Sequence, residues 1–218
     1  MNVRRPPNTL IAAYALLAAA TIALTISVAF DDLLLNEDAW MREVQTWAFP
    51  GNTLSDIIRA ATTTPVVLIT GSCFAVALWL AGARREALAL AAILVVLPLA
   101  QSGIKDIVDR PRPSSDYGID VRASAGSPSF PAGHVMSPTV LYGYVLALCV
   151  TRTLPGALAP LTIIIAPWSA FILLMTGIVN VWLGVHWPSD VIGGYLWGAV
   201  IVAPAVWLTL ETKRQLET

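Results

Sequence analysis

The sequence predicts an all-α integral membrane protein, a single membrane domain over residues 1–218 built as a bundle of six transmembrane helices. The first observation is composition: 56% of the 218 residues are hydrophobic and 12% are charged, about half the charged share of a soluble protein. The second is a mean hydropathy of +0.70. The third is that the apolar residues fall into six long runs. With a net charge of −1, this composition argues against a disordered chain and against a nucleic-acid-binding protein.

Six apolar runs are long enough, or nearly so, to cross about 30 Å of hydrocarbon. They are residues 9–30, 65–81, 87–103, 133–150, 157–179 and 189–210. The first run resembles a signal peptide in its charged start, but its 22 uncharged residues exceed the usual core of about 7–15, which favours a retained span. The short connections GARRE and TRTLPG predict two tight helical hairpins.

Basic residues in the short loops favour a cytoplasmic N-terminus. This orientation puts seven of them inside: Arg4, Arg5, Arg84, Arg85, Arg152, Lys213 and Arg214. It puts six outside: Arg42, Arg59, Lys105, Arg110, Arg112 and Arg122. Both termini are then cytoplasmic, and we expect a multi-pass protein of the cell membrane.

The outer connection between the first two spans covers residues 31–64. Residues 40–49, WMREVQTWAF, predict a short amphipathic helix with its Trp rings at headgroup level. We expect this segment to tether the spans and to take no part in chemistry. In the sixth span, Gly194 and Gly198 form a Gly-x-x-x-Gly pair, which predicts close packing of two helices within the chain.

Three charged clusters are predicted to lie on the same, outer face of the membrane. They are residues 105–113 (KDIVDRPRP), residues 130–134 (FPAGH) and residues 179–190 (VNVWLGVHWPSD). The alternating direction of the spans brings all three together although they are far apart in sequence. Ionisable groups beside membrane spans are costly, and they usually serve function.

The first two clusters offer groups suited to phosphate. Lys105 supplies a point charge and Arg112 a planar fork that matches phosphate oxygens. Gly133 begins a predicted helix, whose first backbone N–H groups form an anion site.

The chain has only two histidines, His134 and His186, and both lie on this face. Histidine is the side chain best suited to proton transfer near neutral pH. Asp190 follows His186 by four residues and is predicted to reach back to one ring nitrogen, which leaves the other free as a nucleophile or base. Each feature alone also fits a structural role or a lipid-headgroup contact, but together they indicate an active site. No Cys/His spacing resembles a metal site, so we expect no metal and no other cofactor.

These residues resemble the motifs of the type 2 phosphatidic acid phosphatase (PAP2) superfamily, membrane lipid phosphatases related to vanadium haloperoxidases. That family has Lys-x6-Arg-Pro, Pro-Ser-Gly-His and Ser-Arg-x5-His-x3-Asp. The first motif is complete as Lys105, Arg112 and Pro113, and the second is present as Pro131-Ala132-Gly133-His134, with Ala132 in place of Ser. The third keeps His186 and Asp190, but its Ser-Arg pair is replaced by Val179-Asn180.

The resemblance implies a haloperoxidase-like helical core and a role for each matching residue. His186 would attack phosphorus to form a phosphohistidine, Asp190 would orient it, and His134 would protonate the leaving oxygen and then activate water. Phosphate would be held by Lys105, Arg112, Gly133 and the two altered positions, Ala132 and Asn180. Because protein cations neutralise the developing charge, this chemistry needs no metal.

The sequence therefore predicts a metal-independent hydrolase of a lipid phosphate or diphosphate, with a polyprenyl diphosphate favoured, acting at the extracytoplasmic face. A lipid-phosphate-binding or transport component and a lipid-to-lipid phosphotransferase remain as alternatives. Asn180 lacks the charge of the family Arg, and Arg110 or Arg122 on the same face is expected to compensate for it. The predicted partner is a membrane lipid phosphate, and the oligomeric state stays open.

Overall fold

The computed structural model describes residues 7–123, 126–151 and 153–216, and all regular elements among them are helical. The α-helices are α1 (Asn8–Phe30), α2 (Glu37–Gln45), α3 (Gly51–Thr62), α4 (Thr64–Leu80), α5 (Arg84–Val108), α6 (Gly133–Val150), α7 (Thr162–Trp182) and α8 (Pro188–Leu216). Two short 3₁₀ turns cover Ser115–Tyr117 and Ala159–Leu161. Arg4, Arg5 and Arg152, used above for orientation, lie outside the described residues.

The predicted membrane helices are confirmed. Within the described residues, five helices are long and apolar enough to cross a membrane: α1, α5, α6, α7 and α8. Helices α3 and α4 form a sixth candidate span that is bent by 60° at the break between them. At this break Thr63 has extended backbone angles, and Pro65 is tolerated in the first turn of α4 because it needs no amide hydrogen there.

Helix α5 is longer than predicted at both ends, because charged residues extend it beyond its apolar core. It begins at Arg84 rather than at residue 87 and continues to Val108 rather than ending at 103. Lys105 is therefore held in the last helical turn. Helix α7 begins five residues later than predicted, after the turn at Ala159–Leu161.

Helix α6 lies at the centre of the bundle and is the most deeply buried span. It packs against α8, α7, α5 and α4. The contact with α8 is close because a Cβ on Gly194 would lie 2.9 Å from the Ala132 carbonyl oxygen, and a Cβ on Gly198 would lie 2.6 Å from the Thr139 Cβ. The predicted packing role of the two glycines within the chain is confirmed.

The outward faces of the bundle are apolar, as expected for a surface in contact with lipid. Leu16, Leu99 and Ile163 are exposed, on α1, α5 and α7 respectively. Helix α1 lies at the periphery, where it contacts α8 and α5. Its only buried residues are Thr21 and Val28.

The connection between α1 and α4 contains two helices where the sequence predicted one. Helix α2 overlaps the predicted amphipathic segment and packs against α7 and α8. Helix α3, which was not predicted, packs against α7, α4 and α6. Both therefore lie over the end of the bundle at which α4, α6 and α8 begin, which we call the site end.

Candidate active site

A polar cavity of about 450 Å³ opens at the site end of the bundle. It is lined by Arg59, Thr64, Gln101, Ser102, Lys105, Arg112, Gly126, Ser127, Gly133, His134 and His186. The cavity therefore brings together five of the residues predicted from the sequence: Lys105, Arg112, Gly133, His134 and His186. No carboxylate is found among these described lining residues.

His186 and Asp190 are placed as their spacing predicted. His186 lies in the turn between α7 and α8, and Asp190 is in the first turn of α8. The His186 Nδ1 atom faces the Asp190 Oδ2 atom at 3.5 Å, which is close enough for the carboxylate to act on the ring but longer than a hydrogen bond. Both side chains are almost completely buried. The other ring nitrogen, Nε2, lies 3.3 Å from Arg112 Nη1.

The contact with Arg112 fixes the tautomer of His186. A guanidinium is only a donor, so Nε2 must accept and the ring proton must sit on Nδ1, facing Asp190. Burial lowers the pKa of His186 to about 4, although the Asp190 carboxylate acts in the opposite direction. At neutral pH the ring is therefore uncharged, and its Nε2 lone pair faces Arg112, which lines the cavity with it.

Asp190 is held rigidly by three donors. Its Oδ1 atom accepts from Arg110 Nη1 at 2.7 Å. Its Oδ2 atom accepts from the Trp187 backbone N–H at 2.9 Å and from the Ser129 hydroxyl. A carboxylate with these partners keeps one position, so it can hold the imidazole of His186 in one orientation.

Behind Asp190, Arg110 connects the catalytic cluster to α2. Its guanidinium is fully buried, and it pairs with both Asp190 and Glu37. Glu37 in turn accepts from the Ser189 N–H at 3.1 Å and from the Ser189 hydroxyl at 2.5 Å. Glu37, Arg110 and Asp190 thus form a buried network of alternating charge that begins in the outer connection and ends beside the neutral ring of His186.

Lys105 and Arg112 are held in place by backbone carbonyls. Lys105 Nζ donates to the Pro128 carbonyl oxygen. Arg112 donates from Nε to the Ser127 carbonyl at 2.7 Å and from Nη1 to the Val185 carbonyl at 2.6 Å. These carbonyls fix the two cations beside His186 without neutralising their charge.

Helix α6 begins at the cavity wall. The amides of Gly133 and His134 donate to no acceptor among the described residues, as is usual for the first turn of a helix. A Cβ at position 133 would overlap with Gln101 Nε2, so a larger residue there would have to displace the end of the Gln101 side chain. The N-terminal turn of α6 is therefore placed to bind an anion in the cavity.

Two of the predicted phosphate-binding residues do not line the cavity. Ala132 is fully buried, and its N–H donates to the Asp190 carbonyl oxygen at 3.0 Å, which ties α6 to α8. Asn180 is also fully buried, and its Nδ2 donates to the Thr176 carbonyl oxygen at 2.7 Å, one turn earlier in α7. Neither residue lines the cavity, so a direct contact of these two positions with phosphate stays a prediction that the geometry of the site does not support.

The two arginines expected to compensate for Asn180 are also engaged elsewhere. Arg110 belongs to the buried network behind Asp190. Arg122 pairs with Asp120 at 2.8 Å and lies over the Trp182 ring at 4.1 Å. Neither one lines the cavity, so the structure does not support compensation by either arginine.

The outer connection, expected to take no part in the chemistry, contributes to the site. Arg59 and Thr64 line the cavity, and Glu37 completes the buried network. The sequence showed Arg59 and Glu37 only as scattered loop charges. The only indication of a role for these two residues was that the outer connection lies on the same face of the membrane as the three charged clusters.

Comparison with known proteins agrees with these motifs. Residues 85–214 match the family model described as the PAP2 superfamily. A candidate undecaprenyl-diphosphatase of Escherichia coli (strain K12), YbjG, is 32% identical over 146 residues, which cover 64% of this chain and 67% of that protein. The crystal structure of a transmembrane PAP2-type phosphatidylglycerolphosphate phosphatase from Bacillus subtilis aligns with a TM-score of 0.73 and 18% identity, covering 93% of this chain and 96% of that one.

Proposed function

Because this chain belongs to the PAP2 superfamily, we propose that it is a lipid phosphatase that hydrolyses a polyprenyl diphosphate to the monophosphate and inorganic phosphate. The observation that carries the proposal is the cavity itself. It combines a buried, neutral His186 backed by Asp190 with fixed cations and the N-terminal turn of α6. This arrangement provides a nucleophile, its orienting group and an anion-binding shell in one place.

In the first step, the Nε2 lone pair of His186 forms a bond to the terminal phosphorus. The bond from that phosphorus to the bridging oxygen breaks, and the oxygen takes a proton from the ring of His134. The protonated form of this ring is favoured once the anionic substrate offsets the neighbouring cations. Asp190 stabilises the positive charge that develops on the His186 ring through the proton on Nδ1. Lys105 and Arg112 neutralise charge on the non-bridging oxygens. The polyprenyl monophosphate leaves, and His186 carries the phosphoryl group.

In the second step, His134 is neutral and accepts a proton from water as the water oxygen attacks phosphorus. The bond between phosphorus and the His186 nitrogen breaks, inorganic phosphate leaves, and both histidines return to their initial states. Each of the two displacements is easier than a direct attack by water, which is the advantage of covalent catalysis.

An apolar groove supports a lipid substrate. The groove of about 660 Å³ lies between α4 and α5 and is lined in part by Leu68, Pro98 and Leu99. These residues are one helical turn further into the bundle than Thr64 and Gln101, which line the polar cavity. A phosphate in the cavity would therefore have its hydrocarbon chain in this groove, in contact with the membrane.

The choice of a polyprenyl diphosphate rests on the similarity to the E. coli protein. The E. coli protein that is 32% identical to this chain is named for undecaprenyl diphosphate. The orientation rests on the distribution of basic residues, which favours the site end facing outward from the cytoplasm.

The proposal is tested with purified protein in detergent and three substrates: undecaprenyl diphosphate, phosphatidylglycerol phosphate and phosphatidate. We expect inorganic phosphate to be released fastest from undecaprenyl diphosphate, and not at all after His186→Ala. With a terminally labelled substrate, His134→Ala is expected to accumulate label on the protein that is stable to alkali and labile to acid. Equal turnover by His186→Ala, or no release from any of the three lipids, would contradict the proposal.

A second arm separates hydrolysis from phosphotransfer. A lipid alcohol is added in excess, and the labelled phosphoryl group is followed. Hydrolysis leaves the label in inorganic phosphate, whereas transfer of most of it to the added lipid would replace the hydrolase by a phosphotransferase.

A further inference from the structure

We propose that Arg59 on α3 binds the substrate phosphate and takes the place of the arginine that the third family motif has where this chain has Asn180. The inference rests on the proposed function and deepens it, because it names the third cation of the phosphate site. Arg59 lies outside residues 85–214, the segment that matches the family model.

The location of Arg59 is set by the bend between α3 and α4. Because the two helices meet at 60°, α3 does not continue the axis of α4, and α3 packs against α6 and α7 at the site end. Arg59 is in the last turn of α3 and lines the cavity together with Lys105, Arg112 and both histidines. It lies near enough to His134 and Arg112 for its charge to act on both.

The donors of Arg59 are available to a ligand. Among the described residues, no atom accepts a hydrogen bond from its guanidinium, and none forms an ion pair with it. Asp56, one turn earlier on α3, attracts the charge without pairing with it. Arg112 differs in this respect, because backbone carbonyls already occupy several of its N–H groups.

The charges in the cavity require an anion. Arg59, Lys105 and Arg112 bring three positive charges to a half-buried space whose described lining contains no carboxylate. Like charges gathered in such a space repel, and a bound anion removes that repulsion. A phosphate or diphosphate with several negative oxygens matches three cations, and the guanidinium of Arg59 can bind two of its oxygens at once.

Asn180 does not supply the missing contact, because it is fully buried outside the cavity lining and its Nδ2 donates to the Thr176 carbonyl oxygen. Arg110 and Arg122 are held in their own ion pairs outside the cavity. Among the cations that line the cavity, Lys105 and Arg112 belong to the first family motif, whereas Arg59 belongs to none of the three motifs.

The test compares Arg59→Gln and Arg59→Lys with Arg122→Gln as a matched control. Arg122 is a cation of the same connection region, but it lies outside the cavity. Two readouts are used on folded, monodisperse protein: kcat/KM on undecaprenyl diphosphate, and the affinity for orthovanadate measured by calorimetry. Removing one charge-assisted contact to a transferring phosphoryl group is expected to lower kcat/KM by about 10²–10³-fold in Arg59→Gln, and by less in Arg59→Lys. Orthovanadate affinity is expected to fall in parallel, while Arg122→Gln stays within a few-fold of the native protein.

A fourth variant, Asn180→Arg, makes the outcome decisive. If Arg59 already fills the role, an added arginine at 180 raises kcat/KM by less than about ten-fold. A gain of about 10²-fold or more would mean that the native site lacks this cation, and it would overturn the inference. Native-like kcat/KM and orthovanadate affinity in Arg59→Gln would also overturn it. If the native protein binds orthovanadate through Arg59 but releases no phosphate from lipids, the proposed function fails and the anion-binding role of Arg59 stands.

Discussion

The buried network predicts that Glu37, which is far from the family motifs in sequence, is essential for stability. The perturbation is Glu37→Gln, which keeps the shape of the side chain and removes its charge. The side chains of Arg110 and Glu37 are 0% and 5% exposed, so water cannot replace the lost partner. Breaking a buried ion pair in this way costs about 3–5 kcal/mol of unfolding free energy. Because Arg110 keeps its bond to Asp190, we expect the lower end, about 3 kcal/mol.

The assay is thermal unfolding in detergent. A loss of about 3 kcal/mol corresponds to a fall in Tm of about 6–12 °C for a chain of this length. Arg110→Gln is expected to lower Tm further, because it leaves two buried carboxylates, Glu37 and Asp190, without a cation.

Asp38→Asn is the matched control, since Asp38 is the next residue of α2 and its ion pair with Arg42 is on the surface. We expect this change to have little effect on Tm, because exposed ion pairs contribute little to stability. The reasoning is refuted if Glu37→Gln unfolds within about 2 °C of the native protein, or if it behaves like Asp38→Asn.

Three further predictions follow from the packing and charges. The pKa of His186 is about 4 in the folded protein and about 6.5 when unfolded, so the unfolded state binds more protons between these values. Stability should therefore fall as the pH drops from about 6.5 to 4, and this loss of Tm should be smaller in His186→Gln than in the native protein; an equal loss in both would contradict the prediction. Gly198→Val should lower stability by about 1–3 kcal/mol, because its Cβ would lie 2.6 Å from Thr139 Cβ, and an unchanged Tm would contradict this. In intact cells of a variant lacking the native cysteines, a membrane-impermeant thiol reagent should label Ser115→Cys but not Thr153→Cys; the reverse pattern would invert the proposed orientation.

The helices of the membrane bundle were predictable because each depends on a local pattern. Apolar runs gave the spans to within a few residues at most ends, and α6 has the same bounds as predicted, Gly133–Val150. The pairing of His186 with Asp190 was also predictable, because the two residues are only four positions apart, at the turn that leads into α8. The alternating direction of the spans brought His134 and His186 to the same cavity.

The errors concern side chains whose surroundings are set by how the helices pack. Basic residues on one face of the membrane look alike in a sequence, yet Arg110 is buried between Glu37 and Asp190, Arg122 is paired on the surface, and Arg59 faces the cavity. Which one meets the phosphate depends on how α2 and α3 fold over the site end.

The sequence by itself determined the spans, the two histidines of the cavity and the carboxylate behind one of them. It did so because hydrophobic periodicity and short spacings along one helix are set by backbone geometry. Only the tertiary structure decided that Asn180 and Ala132 lie outside the cavity lining, and that α3 contributes Arg59. The physical reason is that a buried polar group bonds to whichever partner packing brings near, and the bend between α3 and α4 sets the direction of a helix that no motif describes.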